Sequence, residues 1–310
     1  MTVAVAGGTG FVGGAILAEL SRRGERVIAL SRRPEAARAR LPGGAEAREA
    51  DVNGDPAGLD AALAGVDALA IALAFPNAPM EDPARGWTYE RVDAAGTEAL
   101  VGAARRSGVR RLVYISGAGA APDADRHWFR AKWRAEQAVR SSGITFNIIR
   151  PTWIYGPGDV ALNRFLGFTR WLPFVPLTGS GRQLLAPVFV DDVARLAADA
   201  LADPAAADQT FDVGGPATYS MREIVGIALR VAGKRRLILP APAGALRLGA
   251  RVLQHLPGRI LTPDGVDFVN QPATVDIAPL LAAMPRRLTP LDEGLATYLD
   301  PRRGSRQPGD

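Results

Sequence analysis

A doubly wound, parallel α/β sheet is the architecture this sequence predicts, and three observations predict it. Short apolar runs alternate with stretches of helical period from residue 2 to residue 150. Glycine or proline punctuates the junctions between them. The first run ends in a glycine-rich turn that opens directly into a helix. Such alternation favours parallel strands joined by right-handed crossovers, with helices on both faces.

Thr2 to Ala6 is apolar on every position after the first, as a strand buried on both faces requires. Phe11 to Leu20 places Ile16, Leu17 and Leu20 at helical spacing. Arg26 to Leu30 is the second strand, and the more polar Ala45 to Val52 the third. Leu59 to Leu63 reads as a helix and Ala68 to Leu73 as the fourth strand. Asp93 to Arg106 is helical and stops at Gly108; Arg111 to Ser116 follows as the fifth strand. Trp128 to Ser141 is a helix closed by Gly143, and Phe146 to Arg150 is the sixth strand. Beyond Pro151 the pattern loosens. Residues 151–187 mix glycine and proline with Trp153, Tyr155, Phe165, Phe168, Trp171 and Phe174, a composition suited to a pocket wall or lid. Order returns at Val188-Phe189-Val190, in a helix from Asp192 to Leu201 and in a strand from Thr210 to Val213. Helices over Met221 to Val231 and Gly244 to Leu256 complete the reading.

Composition narrows the function. With 47% hydrophobic and 22% charged residues, the chain has a core to bury and is not globally disordered. Lys132 and Lys234 are the two lysines among 37 basic residues. That bias reads as a habit of composition, and the net charge of +5 is scattered rather than striped, which speaks against a nucleic-acid partner. No cysteine is present, so thiolate chemistry and disulfides are excluded. His127 and His255 lie far apart in sequence, and no metal site is expected. The N-terminal run meets glycines at once and is not expected to act as a signal peptide; no apolar stretch approaches the roughly 20 residues a membrane span needs. A cytoplasmic protein is the expectation.

The glycine turn carries the strongest local signal. Gly7, Gly10 and Gly13 fall between the first strand and the first helix, with Thr9, Phe11 and Val12 interleaved. Gly7 permits the tight turn, Gly10 lets a pyrophosphate approach the backbone, and Gly13 allows helix and strand to pack closely. The diphosphate then meets the free N–H groups of the helix start. An acidic residue about 20 positions on would hold the ribose hydroxyls of NAD. The second strand instead ends Ser31-Arg32-Arg33, which suits a 2′-phosphate and favours NADP(H), with NAD(H) as the alternative. Solvated arginines are the plain reading of the same residues. Asp51 and Val52, ending the third strand, would flank the adenine.

Taken with Tyr114-Ile115-Ser116, Ala131-Lys132, Ala135-Glu136, Arg150-Pro151, Tyr155-Gly156-Pro157-Gly158 and Val190-Asp191-Asp192-Val193-Ala194, the chain resembles the atypical and extended branch of the short-chain dehydrogenase/reductase superfamily. Within it the sequence is similar to the NAD-dependent epimerase/dehydratase group related to the nucleotide-binding accessory subunit of respiratory complex I. The resemblance covers roughly residues 1–235 and implies a Rossmann-like sheet with a small C-terminal substrate-side lobe. It also implies cofactor contacts from Leu73, Ala74 and Phe75 and from Pro151, Thr152 and Trp153. Family enzymes use a serine, a tyrosine and a lysine, and the resemblance places Ser116 and Lys132 in the first and last of these roles. The tyrosine should sit one helical turn before the lysine, where this chain has Trp128. An indole donates a hydrogen bond but cannot cycle a proton. His127 and Tyr155 are the candidates to supply one; the bland readings are a pocket-edge histidine and a packed tyrosine. Trp128, Tyr155, Phe165 and Phe168 are the expected substrate-pocket residues.

Two functions follow. One is an NADP(H)-dependent oxidoreductase or cofactor-assisted isomerase acting on a small to medium apolar carbonyl or alcohol through a non-standard proton donor. The other is a non-catalytic NADP(H)-binding structural or sensing protein. Residues 1–150 form the expected dinucleotide-binding core, with 151–300 a substrate-side segment whose strand and helix at 188–213 return to the core, and 301–310 a disordered tail. A small molecule, or none, is the expected partner; peripheral membrane contact through Leu246 to Arg259 and a monomer or homodimer stay open.

Overall fold

The computed structural model describes residues 1–76, 78–169, 172–203, 206–242, 244, 246, 248, 250–251 and 263–301. Its elements in chain order are β1 (Thr2–Ala6), α1 (Phe11–Arg22), β2 (Arg26–Ser31), α2 (Pro34–Arg38), β3 (Glu46–Glu49), α3 (Pro56–Ala62), β4 (Ala68–Ile71), α4 (Gly96–Arg106), β5 (Arg111–Ile115), α5 (His127–Arg140) and β6 (Thr145–Pro151). There follow β7 (Ile154–Tyr155), α6 (Val160–Phe168), β8 (Phe174–Thr178), β9 (Leu184–Leu185), β10 (Val188–Phe189), α7 (Val190–Ala202), β11 (Gln209–Val213), β12 (Tyr219–Ser220), α8 (Met221–Val231), β13 (Leu237–Ala241), α9 (Pro263–Asn270), α10 (Ala278–Ala283) and α11 (Leu291–Leu299). The chain divides into two units: Met1–Pro151 with Val190–Val213 and Asp276–Arg286, and Thr152–Phe189 with Gly214–Val275 and Arg287–Asp310.

The first unit is a doubly wound Rossmann-like sheet of seven strands in the order β11-β6-β5-β4-β1-β2-β3, and every pairing is parallel. The continuous apolar runs of β1, β4 and β5 are buried because helices cover both faces. The register sets Ala6 of β1 beside Leu30 of β2 and Ile71 of β4. The loops leaving these three strands therefore emerge along one edge, on either side of the point where strand order reverses. In this fold class that point is the ligand crevice. β3 is shorter than the run Ala45 to Val52 suggests, and its charged sequence Glu46-Ala47-Arg48-Glu49 suits an exposed sheet edge.

Two sequence expectations change in detail. The helix expected from Asp93 begins earlier, as a π-helical segment over Tyr89–Ala95 that runs into α4. Its start is capped by the Thr88 hydroxyl, which accepts from the Arg91 N–H at 3.1 Å. Such wide turns concentrate at functional sites. The short run at residue 188 forms β10, which pairs with β7 in a separate two-stranded sheet, and α7 starts at Val190.

In the second unit, small sheets join β7 to β10, β8 to β13 and β9 to β12. Tyr155 is fully buried here, its ring 5.4 Å from Phe189. A Cβ at Gly294 in α11 would stand 2.2 Å from the Tyr155 hydroxyl, so only glycine lets that helix approach. Asp159 caps α6, accepting from the N–H groups of Ala161 at 2.8 Å and Leu162 at 3.1 Å. Burial pushes its carboxyl up to about 6, against the pull of those two donors and of the Trp153 indole. The nearby Tyr298 hydroxyl is buried without a hydrogen-bond partner among the described residues.

A carboxyl raised from 3.8 to about 6 binds its proton more tightly in the folded state than in the unfolded one. Stability is therefore lost as pH rises through that window, by up to about 3 kcal/mol once the group ionises. Asp159→Asn keeps a capping oxygen but cannot ionise. Thermal melts at pH 4 and pH 7 should show wild type losing stability across the window relative to the variant. Parallel shifts of both proteins would contradict the burial assignment.

Candidate functional site

The site is assembled in the first unit, beginning at the glycine turn. Gly7 has φ +80°, and a Cβ there would stand 2.2 Å from the carbonyl oxygen of Ala72, just past β4. A Cβ on Gly13 would stand 2.2 Å from the Gly7 carbonyl oxygen. The turn is closed by the Gly10 N–H donating to the Gly7 carbonyl at 2.8 Å. The first bond along α1, from the Gly14 N–H to the Gly10 carbonyl, leaves the N–H groups of Phe11, Val12 and Gly13 ahead of it. No side chain caps this helix start and no acidic residue occupies its first turn. Thr9 and Gly10 are exposed beside it. An anionic diphosphate fits that cradle.

Around the turn, Ser31 accepts from the Arg33 N–H at 3.1 Å, while Arg32 and Arg33 are exposed. Glu35 is held by Arg38. Asp51 turns back on its own loop, accepting from the Asn53 N–H at 3.0 Å. Val52 packs beneath Gly96, where a Cβ would stand 2.8 Å from its methyl. Leu73 bridges the main core and an aromatic cluster, Ala74 is exposed, and Phe75 is buried in that cluster.

The serine and lysine are both held by buried carboxylates. The Ser116 hydroxyl donates to Glu136 Oε1 at 2.6 Å. Glu136 is wholly buried and receives both Nε and Nη2 of Arg150, at 2.7 and 2.6 Å. Lys132 sits 2.5 Å from Asp93 Oδ1, donates to the Ile115 carbonyl at 3.2 Å and lies over the Tyr114 ring. Burial works against the Lys132 ammonium, but Asp93 and the Tyr114 phenol outweigh it and hold its pKa above the usual lysine range. Burial pushes the Asp93 carboxyl up, against the pull of Lys132. Oδ2 of Asp93 is buried without a hydrogen-bond partner among the described residues. Asp93 is a residue the sequence reading passed over; its signal was a lone acid inside a run whose neighbours are apolar or small.

Trp128 is buried, packed with Phe75, Tyr89, Val92 and Ala131. His127 opens α5 and is partly exposed, its Nε2 3.1 Å from Glu81 Oε2 and its ring edge-on to Trp128. In the second unit, the Thr152 hydroxyl donates to the Ala186 carbonyl, Trp153 contacts Asp159, and the Tyr155 hydroxyl faces the carbonyls of Pro290 and Leu291. Tyr155 is thus engaged in packing. Pro151, ending β6, accepts from the Ala118 N–H at 2.9 Å. The side chains of Phe165 and Phe168, the stretch 252–262 with His255, and residues 302–310 of the expected tail lie outside the described residues, as does most of the segment considered for membrane contact.

Comparison with known proteins matches residues 7–204 to the NAD(P)H-binding family, a span that includes the glycine turn, Ser116 and Lys132. The chain belongs to that family. It is a nucleotide-binding Rossmann-fold protein of the short-chain dehydrogenase/reductase and epimerase superfamily. It is 31% identical over 172 residues to the mitochondrial NADH-ubiquinone oxidoreductase 40 kDa subunit of Neurospora crassa, covering 55% of this chain and 44% of that protein. The chain spans about half the length of the complex I relatives it matches, from 42% to 56%. It is 34% identical over 239 residues to the (4-alkanoyl-5-oxo-2,5-dihydrofuran-3-yl)methyl phosphate reductase of Streptomyces griseus, covering 75% of this chain and 74% of that enzyme. Its fold matches that of MoeE5 in complex with UDP-glucose and NAD, with TM-score 0.75, 22% identity and coverage of 98% and 99% of the two chains. The UDP-glucose 4-epimerase of Thermus thermophilus in complex with NAD gives 0.73, also at 22% identity, with 98% and 100% covered.

Two expectations are corrected. The preference for NADP(H) is overturned, because the structural relatives bearing a cofactor are almost all NAD complexes, which favours NAD(H). The physical reason lies in the composition: in a chain whose basic residues are nearly all arginine, the exposed guanidinium groups of Arg32 and Arg33 after β2 do not by themselves mark a 2′-phosphate. The cytoplasmic expectation is overturned by the complex I relatives, which are mitochondrial subunits. Among the described residues no helix is long and apolar enough to cross a membrane.

Gly13→Ala should weaken NADH binding at least about tenfold, or about 1.4 kcal/mol, because its Cβ forces the turn open. Gly14→Ala is the control: its Cβ would meet only ordinary contact, 3.5 Å from the Gly8 carbonyl, and alanine favours a helix. Titration by intrinsic fluorescence reads both, and equal affinities in the two variants would contradict the role given to the turn.

Proposed function

We propose that this protein is an NAD(H)-dependent oxidoreductase acting on a small to medium apolar carbonyl or alcohol, without the family's phenol as proton donor. The observation that carries this reading is the titratable pair of His127 and Glu81 on an aromatic cluster, one residue from the position where the phenol would stand. Buried Phe75, Tyr89 and Trp128 give that neighbourhood an apolar character. The reductase relative from Streptomyces griseus supports the reading, since chain and enzyme correspond over about three quarters of each.

When bound, the nicotinamide would supply the hydride. The groups of this chain hold it and complete the reaction: the N–H groups of Phe11, Val12 and Gly13 meet the diphosphate, and Lys132, kept charged by Asp93, lies where the resemblance puts the ribose. Ser116 has committed its hydroxyl proton to Glu136, so it can accept a hydrogen bond from an alcohol but does not donate one to a carbonyl oxygen.

A second reading, an NAD(H)-binding protein without catalysis, is favoured by one specific observation. Both Ser116 and Lys132 are engaged by buried carboxylates, and Trp128 fills a core position. The two readings separate in one experiment. NADH and NADPH are titrated into the purified protein, and NADH oxidation is then followed with a panel of apolar aldehydes, ketones and enones. Tighter binding of NADH than NADPH, with turnover of at least one carbonyl, is expected. NADH binding without turnover on the panel would overturn the oxidoreductase reading in favour of the second.

A further inference from the structure

The loop before the π-helical segment brings an acid to the start of α5 that neither the sequence pattern nor the relatives single out. Glu81 is held at both carboxylate oxygens. Oε1 accepts from the backbone N–H of Tyr89 at 2.6 Å, and Oε2 stands 3.1 Å from His127 Nε2. One anchor is main chain and the other an imidazole, so the carboxylate cannot swing without giving up a bond. The imidazole is flanked by aromatic rings as well. Its ring lies edge-on to Trp128 at 5.2 Å and to Tyr89 at 6.0 Å, and Tyr89 in turn meets Phe75 at 4.9 Å. This chain of rings runs from the loop after β4, beside the glycine turn, to the first residue of α5. The His127 side chain keeps 40% of its exposure, against 20% for Glu81, so the acid is the more sheltered partner and the imidazole the accessible one.

We propose that Glu81 is the positioning residue for a proton donor, His127, that replaces the missing phenol. A carboxylate accepts and does not donate, so its contact with Nε2 fixes the proton of the neutral imidazole there. Nδ1 is then the nitrogen that exchanges a proton with substrate, the division of labour known from carboxylate-oriented histidines. In the reduction, hydride supplied by NADH adds to the carbonyl carbon and the C=O π pair moves to oxygen. That oxygen takes the Nδ1 proton of the imidazolium, leaving neutral His127, alcohol and NAD+. The imidazolium is regenerated by a proton from solvent, which the exposed ring reaches. The inference rests on the oxidoreductase reading above, but Glu81 also makes a claim about the histidine alone that can be read without turnover.

The test uses 15N-histidine-labelled protein. The chain has two histidines, so His127→Gln assigns the His127 signals by their loss. Imidazole 15N shifts in wild type should report the proton on Nε2, and Glu81→Gln should convert this to a mixture of tautomers. In parallel, Glu81→Gln and His127→Gln should each lower kcat by at least about tenfold while leaving the NADH dissociation constant within about twofold, since proton transfer from a positioned group contributes about 10²–10⁴ in rate. A wild-type proton on Nδ1, or tautomer and kcat both unchanged in Glu81→Gln, would overturn the positioning role. A tautomer that shifts with kcat unchanged would overturn the proton-donor role. No wild-type turnover on any carbonyl would instead overturn the oxidoreductase reading, and the catalytic role of the pair with it.

Discussion

Glu136 is wholly buried, and three elements meet at its carboxylate. Ser116 at the end of β5 donates to it, Arg150 on β6 grips it with two bonds, and Arg140 reaches it from one turn along α5. Arg140 also donates to Thr210 on β11, so the linkage continues to the last strand of the sheet. A buried carboxylate is tolerable only when its partners are in place, and removing one partner of such a pair costs roughly 3–5 kcal/mol. Asp93 makes a second, smaller linkage of the same kind, tying the π-helical segment to Lys132 and, through Lys132, to the end of β5. The C-terminal edge of β5 and the inner face of α5 are thus fixed by charge pairs rather than by apolar packing alone.

That constraint shapes the chemistry available. Ser116 and Lys132 have each given at least one hydrogen bond or ion pair to a buried acid, and a buried indole, Trp128, stands one helical turn before the lysine, where the resemblance expects a phenol. The nucleotide cradle has no such substitutions. Gly7 and Gly13 are required by contacts of 2.2 Å that any Cβ would make, and the first-turn N–H groups stand ahead of the first helical bond. Binding and proton transfer are therefore separable in this chain, and under the proposal above the proton route lies at the rim of the aromatic cluster, where His127 meets Glu81.

Much of this was legible in the sequence. The strand, turn and helix around Gly7, Gly10 and Gly13 were readable because each glycine answers to a distinct steric demand. The buried strands were readable because parallel strands covered on both faces lack polar positions. What escaped was set by tertiary pairing. Asp93 and Glu81 are unremarkable in sequence, and their roles appear only when α5 lies across the π-helical segment. Short strands such as β7, β9 and β12 have two residues each, too few for periodicity to register. Arg32 and Arg33 were misleading for a different reason: in a chain whose basic residues are nearly all arginine, a guanidinium near a ribose site carries little information about the cofactor.

The location of the nucleotide is the claim on which the rest depends, and hydrogen–deuterium exchange with and without NADH tests it most directly. NADH should slow exchange at the amides of Phe11, Val12 and Gly13, and in the loop at 72–75 against which Gly7 closes. Unchanged exchange at the glycine turn in the presence of saturating NADH, with protection confined to other segments, would contradict it.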